Sequence, residues 1–158
     1  MRGDDPELLE LRMIVAAHVP AIAKASDPDL HILADRKRVE PSEIIGANWV
    51  FDIPANTKAV SLVSHACKPS TLGLAADDRN LGFCVTAIRA TSAASDAVLA
   101  PTNQLLQEGF HQAEREGFRW TDGRATLPIE LLGGGTCQIR LTVTGHGLPY
   151  YIHQRDAA

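Results

Sequence analysis

From Asn48 onward, apolar side chains fall on every second position of several short runs. NWVFDIP sets Trp49, Phe51 and Ile53 on one face, and KAVSLVSHA sets Val60, Leu62 and the less apolar Ser64 against Ala59, Ser61 and Val63. LGFCVTAIRA places Phe83, Val85 and Ala87 opposite Cys84, Thr86 and Ile88. CQIRLTVTG turns Ile139, Leu141 and Val143 inward, with Arg140, Thr142 and Thr144 outward. A period of two with one solvated face predicts antiparallel sheet. Upstream, DLHILADRKRVEP reads as two short strands around the polar turn Asp35-Arg36-Lys37. LPYYIHQ suits a sheet edge, because Pro149 has no N–H to give a central ladder.

Helical spacing appears in DDPELLELRMIVAAHV. Asp5 caps, Pro6 suits the first helical position, and Glu7 and Glu10 complement the N-terminal dipole. Leu8, Leu11 and Val15 then form one apolar face, widened by Leu9, Met13 and Ile14. Two connections are less regular: CKPSTLGLAADDRN is polar, and TSAASDAVLAPTNQLLQE is rich in small residues and then mildly helical. Short strands without βα alternation predict an all-β protein, an antiparallel β-sandwich of jelly-roll-like form with a short N-terminal helix. Residues 1–20 are read as helix and linker, and residues 21–158 as a single β-sandwich domain.

Composition narrows the function classes. The chain has 158 residues, a length typical of one domain. A net charge of -4 with mixed signs offers no basic stripe, so nucleic acid is not an expected partner. No apolar run approaches the roughly 18 residues of a membrane span, so no membrane association is expected. The opening MRGDDPELLE is polar and acidic, unlike a secretory signal, and a cytoplasmic location is expected. Cys67, Cys84 and Cys137 are widely spaced and lack the close pairs of a zinc site. One disulfide is open to them, but Cys84 and Cys137 lie in apolar runs that suit reduced, buried thiols. Neither a metal nor a cofactor is expected.

Several segments together resemble a β domain of α-proteobacterial proteins that often follows a Hint (hedgehog/intein-type) domain. A related RWT module accompanies some glycosyltransferases. The matching pieces are DPDLHILADRKRVEP, FDIP, VSLVSHACKP, DDRNLGFCV and GFHQAEREGFRWTDGRATLP, spanning about Asp27 to Tyr151. RWTDG is the most specific of them. His65 stands where the family has a basic residue after the strand serine, and Arg36 where its turn has glycine. The resemblance implies a β fold and the company of glycan-handling enzymes, and it carries no chemical assignment.

The chemistry concentrates in GFHQAEREGFRWTDGRATLP. GFHQAE and FRWTDG flank REG, a spacing that suits two antiparallel strands and a short loop containing Gly117. In a structural reading, Arg119 meets Glu114 as a bidentate pair and Trp120 fills the core. In a site reading, His111 is a general base, Glu114 orients it or acts as an acid, and Arg119 holds an anion. His111 and Glu114 alternate faces on a strand, so their joint use needs a bulge, as would a metal site made with Asp122. Asp77, Asp78 and Arg79 at a strand's start can clamp a sugar hydroxyl or calcium, or form a turn with a local ion pair. GGGTC lacks the Lys-Ser/Thr end of a phosphate loop and reads as a loop before a strand.

The catalytic candidates are thus His111 and Glu114. The ligand-binding candidates are Asp78, Arg79, Arg119, Thr121 and Asp122, with Trp49, Tyr150 and Tyr151 as stacking platforms. The favoured function is a non-catalytic binding or accessory module whose partner is a glycan or another protein. The alternative is a small enzyme doing acid-base chemistry on a polar substrate with His111, Glu114, Arg119 and Asp78. A third reading is assembly, as a homodimer through the N-terminal helix.

Overall fold

Strands β1 (His31–Ala34) and β2 (Lys37–Val39) pair so that Ala34 faces Lys37, which leaves Asp35 and Arg36 alone in the loop. Both have positive φ, 49° and 71°, as a two-residue type I′ turn requires. Asp35 holds the turn in place. Its carboxylate accepts the backbone N–H groups of Lys58 and Ala59 at 2.9–3.2 Å, and its own N–H donates to the Ala59 carbonyl. The computed structural model describes residues 27–72, 77–134 and 136–149. The expected N-terminal helix, with its dimer contact, and Tyr150 and Tyr151 lie outside the described residues.

The protein is all-β, built from two antiparallel sheets among the described residues. The first has the order β2-β1-β5-β9, with β5 at Val60–Val63 and β9 at Arg124–Leu127. The second has the order β3-β4-β10-β6-β7, from β3 (Glu43–Ile45) and β4 (Asn48–Ile53) through β10 (Ile139–Gly147) to β6 (Phe83–Thr91) and β7 (Asp96–Leu99). The two-residue β8 (Arg119–Trp120) also pairs with β6, at Cys84 and Val85 near the start of that strand and on the edge away from β10. Ile32, Val60, Leu62 and Leu127 of the first sheet join Phe51, Ile53, Leu141 and Val143 of the second in one hydrophobic core. Each such side chain contributes roughly 1.5–3 kcal/mol by leaving water. No helix among the described residues is long and apolar enough to cross a membrane.

The inward faces expected of β4, β5 and β10 are those observed. β6 departs from its simple alternation. Phe83 and Val85 point into the core, but so do Ile88 and Ala90, while Ala87 is only half-buried. The cause is a β-bulge: Thr144 of β10 faces Ala87 and Gly145 faces Val85, so Thr86 is an extra residue and the parity flips there. The expected grouping of Ala87 with Phe83 and Val85 is therefore corrected. Two further expectations change. The small-residue run after Thr91 forms β7 because β6 offers it a ladder, and the PTNQLLQE stretch expected to be mildly helical forms turns. Cys137 precedes β10 and is half-buried, whereas Cys84 is buried in β6, and no disulfide joins the cysteines among the described residues.

Arg36 holds a left-handed conformation that costs an L-residue about 1–2 kcal/mol, only partly offset in glycine by its larger unfolded-state entropy. Arg36→Gly should therefore stabilise the protein by about 0.5–1 kcal/mol, and Arg36→Val should destabilise it, in urea-unfolding midpoints.

Candidate functional site

The bulge sets the geometry of the end of the second sheet. Beyond it, Cys84 of β6 faces His146 of β10 on one side and Trp120 of β8 on the other. These three residues form a row on the face opposite Phe83. Neighbouring strands are about 4.8 Å apart, so the two rings meet only by leaning over the small cysteine between them. They do so edge to face, with centroids 5.7 Å apart and planes at 89°. Cys84 lies beneath, 1% exposed, and burial, followed by the charge of Glu114, pushes its thiol up to about 11. It is a packed apolar group and not a nucleophile.

Trp120 thus packs away from the main core, contrary to the structural expectation for it. Its neighbours are Leu81, Leu148 and Cys67, a second small cluster. Together Leu81, Trp120, His146, Leu148, Pro149 and Asp77 line an open groove of about 570 Å³. That volume falls within the roughly 300–1,000 Å³ of small-molecule sites. Trp49 is turned the other way, against Phe83 in the core at 5.9 Å, and offers no platform.

Trp120 reaches the groove from the hairpin of residues 109–122, and Asp77 from the 77–80 loop. Phe110 bridges Thr121, the His111 N–H donates to the Trp120 carbonyl, and the Glu114 N–H donates to the Phe118 carbonyl. The antiparallel pairing around Gly117 is as expected, but the ion pair is not. Glu114 binds Arg79 at 3.0 Å, and Arg79 also grips Asp77 through Nε at 3.1 Å and Nη2 at 2.7 Å. Arg119 lies over the Phe110 ring and donates to the backbone carbonyls of His111, Pro101 and Asn103. Burial lowers its pKa. Arg119 staples the 101–103 turn to the hairpin.

The other candidates fall around this latch. His111 Nε2 is 2.7 Å from the Asn80 carbonyl oxygen, which fixes the ring and ties it to the 77–80 loop. Asp78 accepts from the Ser70 hydroxyl at 2.6 Å. Thr121 is 1% exposed, and its hydroxyl accepts the Phe83 N–H at 3.0 Å. Asp122 accepts the Arg124 N–H in its own turn at 3.1 Å. The structure therefore gathers His111, Glu114 and Arg79, and adds Asp77. Thr121 and Asp122 have other partners, and Arg119 meets His111 only at its backbone carbonyl. Sequence reasoning missed His146 and the groove; the signal was Gly145, a glycine interrupting an alternating strand.

Asp77 is held down to about 2, first by the side-chain hydrogen bonds from Arg79 and then by the Arg79 backbone N–H. A depressed folded-state pKa stabilises the fold above the ordinary carboxylate value and loses that contribution as the pH falls through about 2. With both partners partly exposed, the contribution is on the order of 1 kcal/mol. The stability difference between the protein and Asp77→Asn should be largest at neutral pH and vanish at the acid end, measured by urea unfolding. A difference independent of pH would remove the ion pair from the account.

No family model, curated protein or solved structure gives a significant match to the chain.

Proposed function

We propose that this chain is a non-catalytic binding module of β-sandwich, jelly-roll-like form, and that its ligand is a glycan held in the groove beside Trp120. The observation that carries the reading is the groove itself. It sets a half-buried tryptophan beside an exposed histidine and a carboxylate, over an apolar floor of Leu81 and Leu148. Sugars present that same combination, an apolar ring face bordered by hydroxyls. Trp120 offers its ring, and its indole N–H has no hydrogen-bond acceptor among the described residues.

The enzymatic alternative is less well supported. His111 and Glu114 are engaged by Asn80 and Arg79 respectively and do not converge on a shared reacting point. They tie the 77–80 loop to the hairpin that carries Trp120. The resemblance of the RWTDG segment to a module accompanying glycosyltransferases points to the same ligand class, by analogy.

A glycan array probed with the labelled protein, followed by titration of the best hit, tests the reading. Trp120→Ala should weaken binding at least tenfold, about 1.4 kcal/mol, with far-ultraviolet circular dichroism unchanged. Equal binding by the variant, or no bound glycan, would overturn it.

A further inference from the structure

We infer that the groove selects a ligand bearing a positive charge: within the proposed glycan class, a sugar carrying a protonated amine. The inference rests on the groove being the ligand site and adds the charge of what it takes. Among its described lining residues Asp77 is the one acid, and no lysine or arginine joins it. Arg79 grips both oxygens of Asp77 and reaches Glu114 through one further bond, so two carboxylates share a single guanidinium. The trio sums to one negative charge, which His111 beside it offsets in part when protonated, and Asp78, bound by the Ser70 hydroxyl, adds another.

The aromatic lining favours the same ligand. Trp120 and His146 stand at right angles on the same groove, so an ammonium can lie against the indole face with the carboxylate in reach. A cation over tryptophan is stabilised by about 0.5–1 kcal/mol at exposed sites and by more when water is excluded. Leu81 and Leu148 give the groove an apolar floor against which the non-charged part of such a ligand can lie. A carboxylate-bearing sugar meets the opposite field and is rejected by like charge. The Arg79 latch thus has a second use. It holds Asp77 in one orientation at the groove, keeping an acid and no lysine or arginine among the described lining residues.

The test uses tryptophan fluorescence. The chain has two tryptophans, so in Trp49→Phe the signal reports Trp120 alone. Four probes are titrated at neutral pH: glucosamine, glucose, glucuronate and tetramethylammonium. Glucosamine should saturate the signal at least tenfold more tightly than glucose, tetramethylammonium should also saturate it, and glucuronate should be the weakest. Asp77→Asn should abolish the preference for glucosamine over glucose, and His146→Ala, which leaves the latch intact, should weaken both cations. Glucose and glucuronate binding as tightly as glucosamine would overturn the charge selection and leave the glycan reading standing. Tetramethylammonium binding with no response to any sugar would support the cation site and overturn the glycan reading. Silence from both cations would overturn the inference.

Discussion

Opposite Val85 of β6, strand β10 has no room for a side chain. A Cβ on Gly145 would lie 1.9 Å from the Cys84 carbonyl oxygen and 2.8 Å from the Phe83 ring. The close approach accompanies the extra residue at Thr86, and its consequences run in both directions along the sheet. Below the bulge, Ile88 and Ala90 pack into the shared core; above it, Phe83 and Val85 do so with the opposite parity. The same flip leaves Cys84 facing outward between His146 and Trp120. Had the alternation run on unbroken, a strand of this length would have kept one parity throughout, and the groove would lack its floor and its aromatic walls.

Above that constraint sits the latch. Arg79 joins the 77–80 loop to the 109–122 hairpin through Glu114, and His111 joins them again through the Asn80 carbonyl. The 77–80 loop is thereby fixed to the hairpin that carries β8. Charge-assisted bonds between half-exposed partners contribute little to global stability, so their effect is on position more than on folding. A binding site needs that fixity more than the fold does, because loops without it adopt many conformations. His111 and Glu114, which the sequence offers as catalytic groups, are bound here to the Asn80 carbonyl and to Arg79.

Much of the fold was legible because it is local. The Asp35-Arg36 turn, the inward faces of β4, β5 and β10, and the hairpin around Gly117 each depend on residues close in sequence. What was missed depends on distant strands. The run SDAVL has weak strand propensity and becomes β7 only because β6 pairs with it. Glu114 and Arg79 meet across 35 positions, while Arg119 is nearer in sequence but is held by carbonyls. A bulge leaves each half of a strand correctly alternating, so a period-two reading of LGFCVTAIRA cannot detect the flip. Gly145 was its visible trace.

The dependence of the structure on a bare Cα at this position is steric, and substitution tests it. Gly117, at the hairpin tip, has a φ of 97° and open space around its Cα, so Gly117→Ala should cost only backbone strain, about 1–2 kcal/mol. Gly145→Ala drives a methyl into backbone and should cost about 3 kcal/mol or more. Paired urea-unfolding curves of the two variants decide the matter. A clearly larger loss at Gly145 is the result the account predicts, and a loss equal to or smaller than that at Gly117 would contradict it.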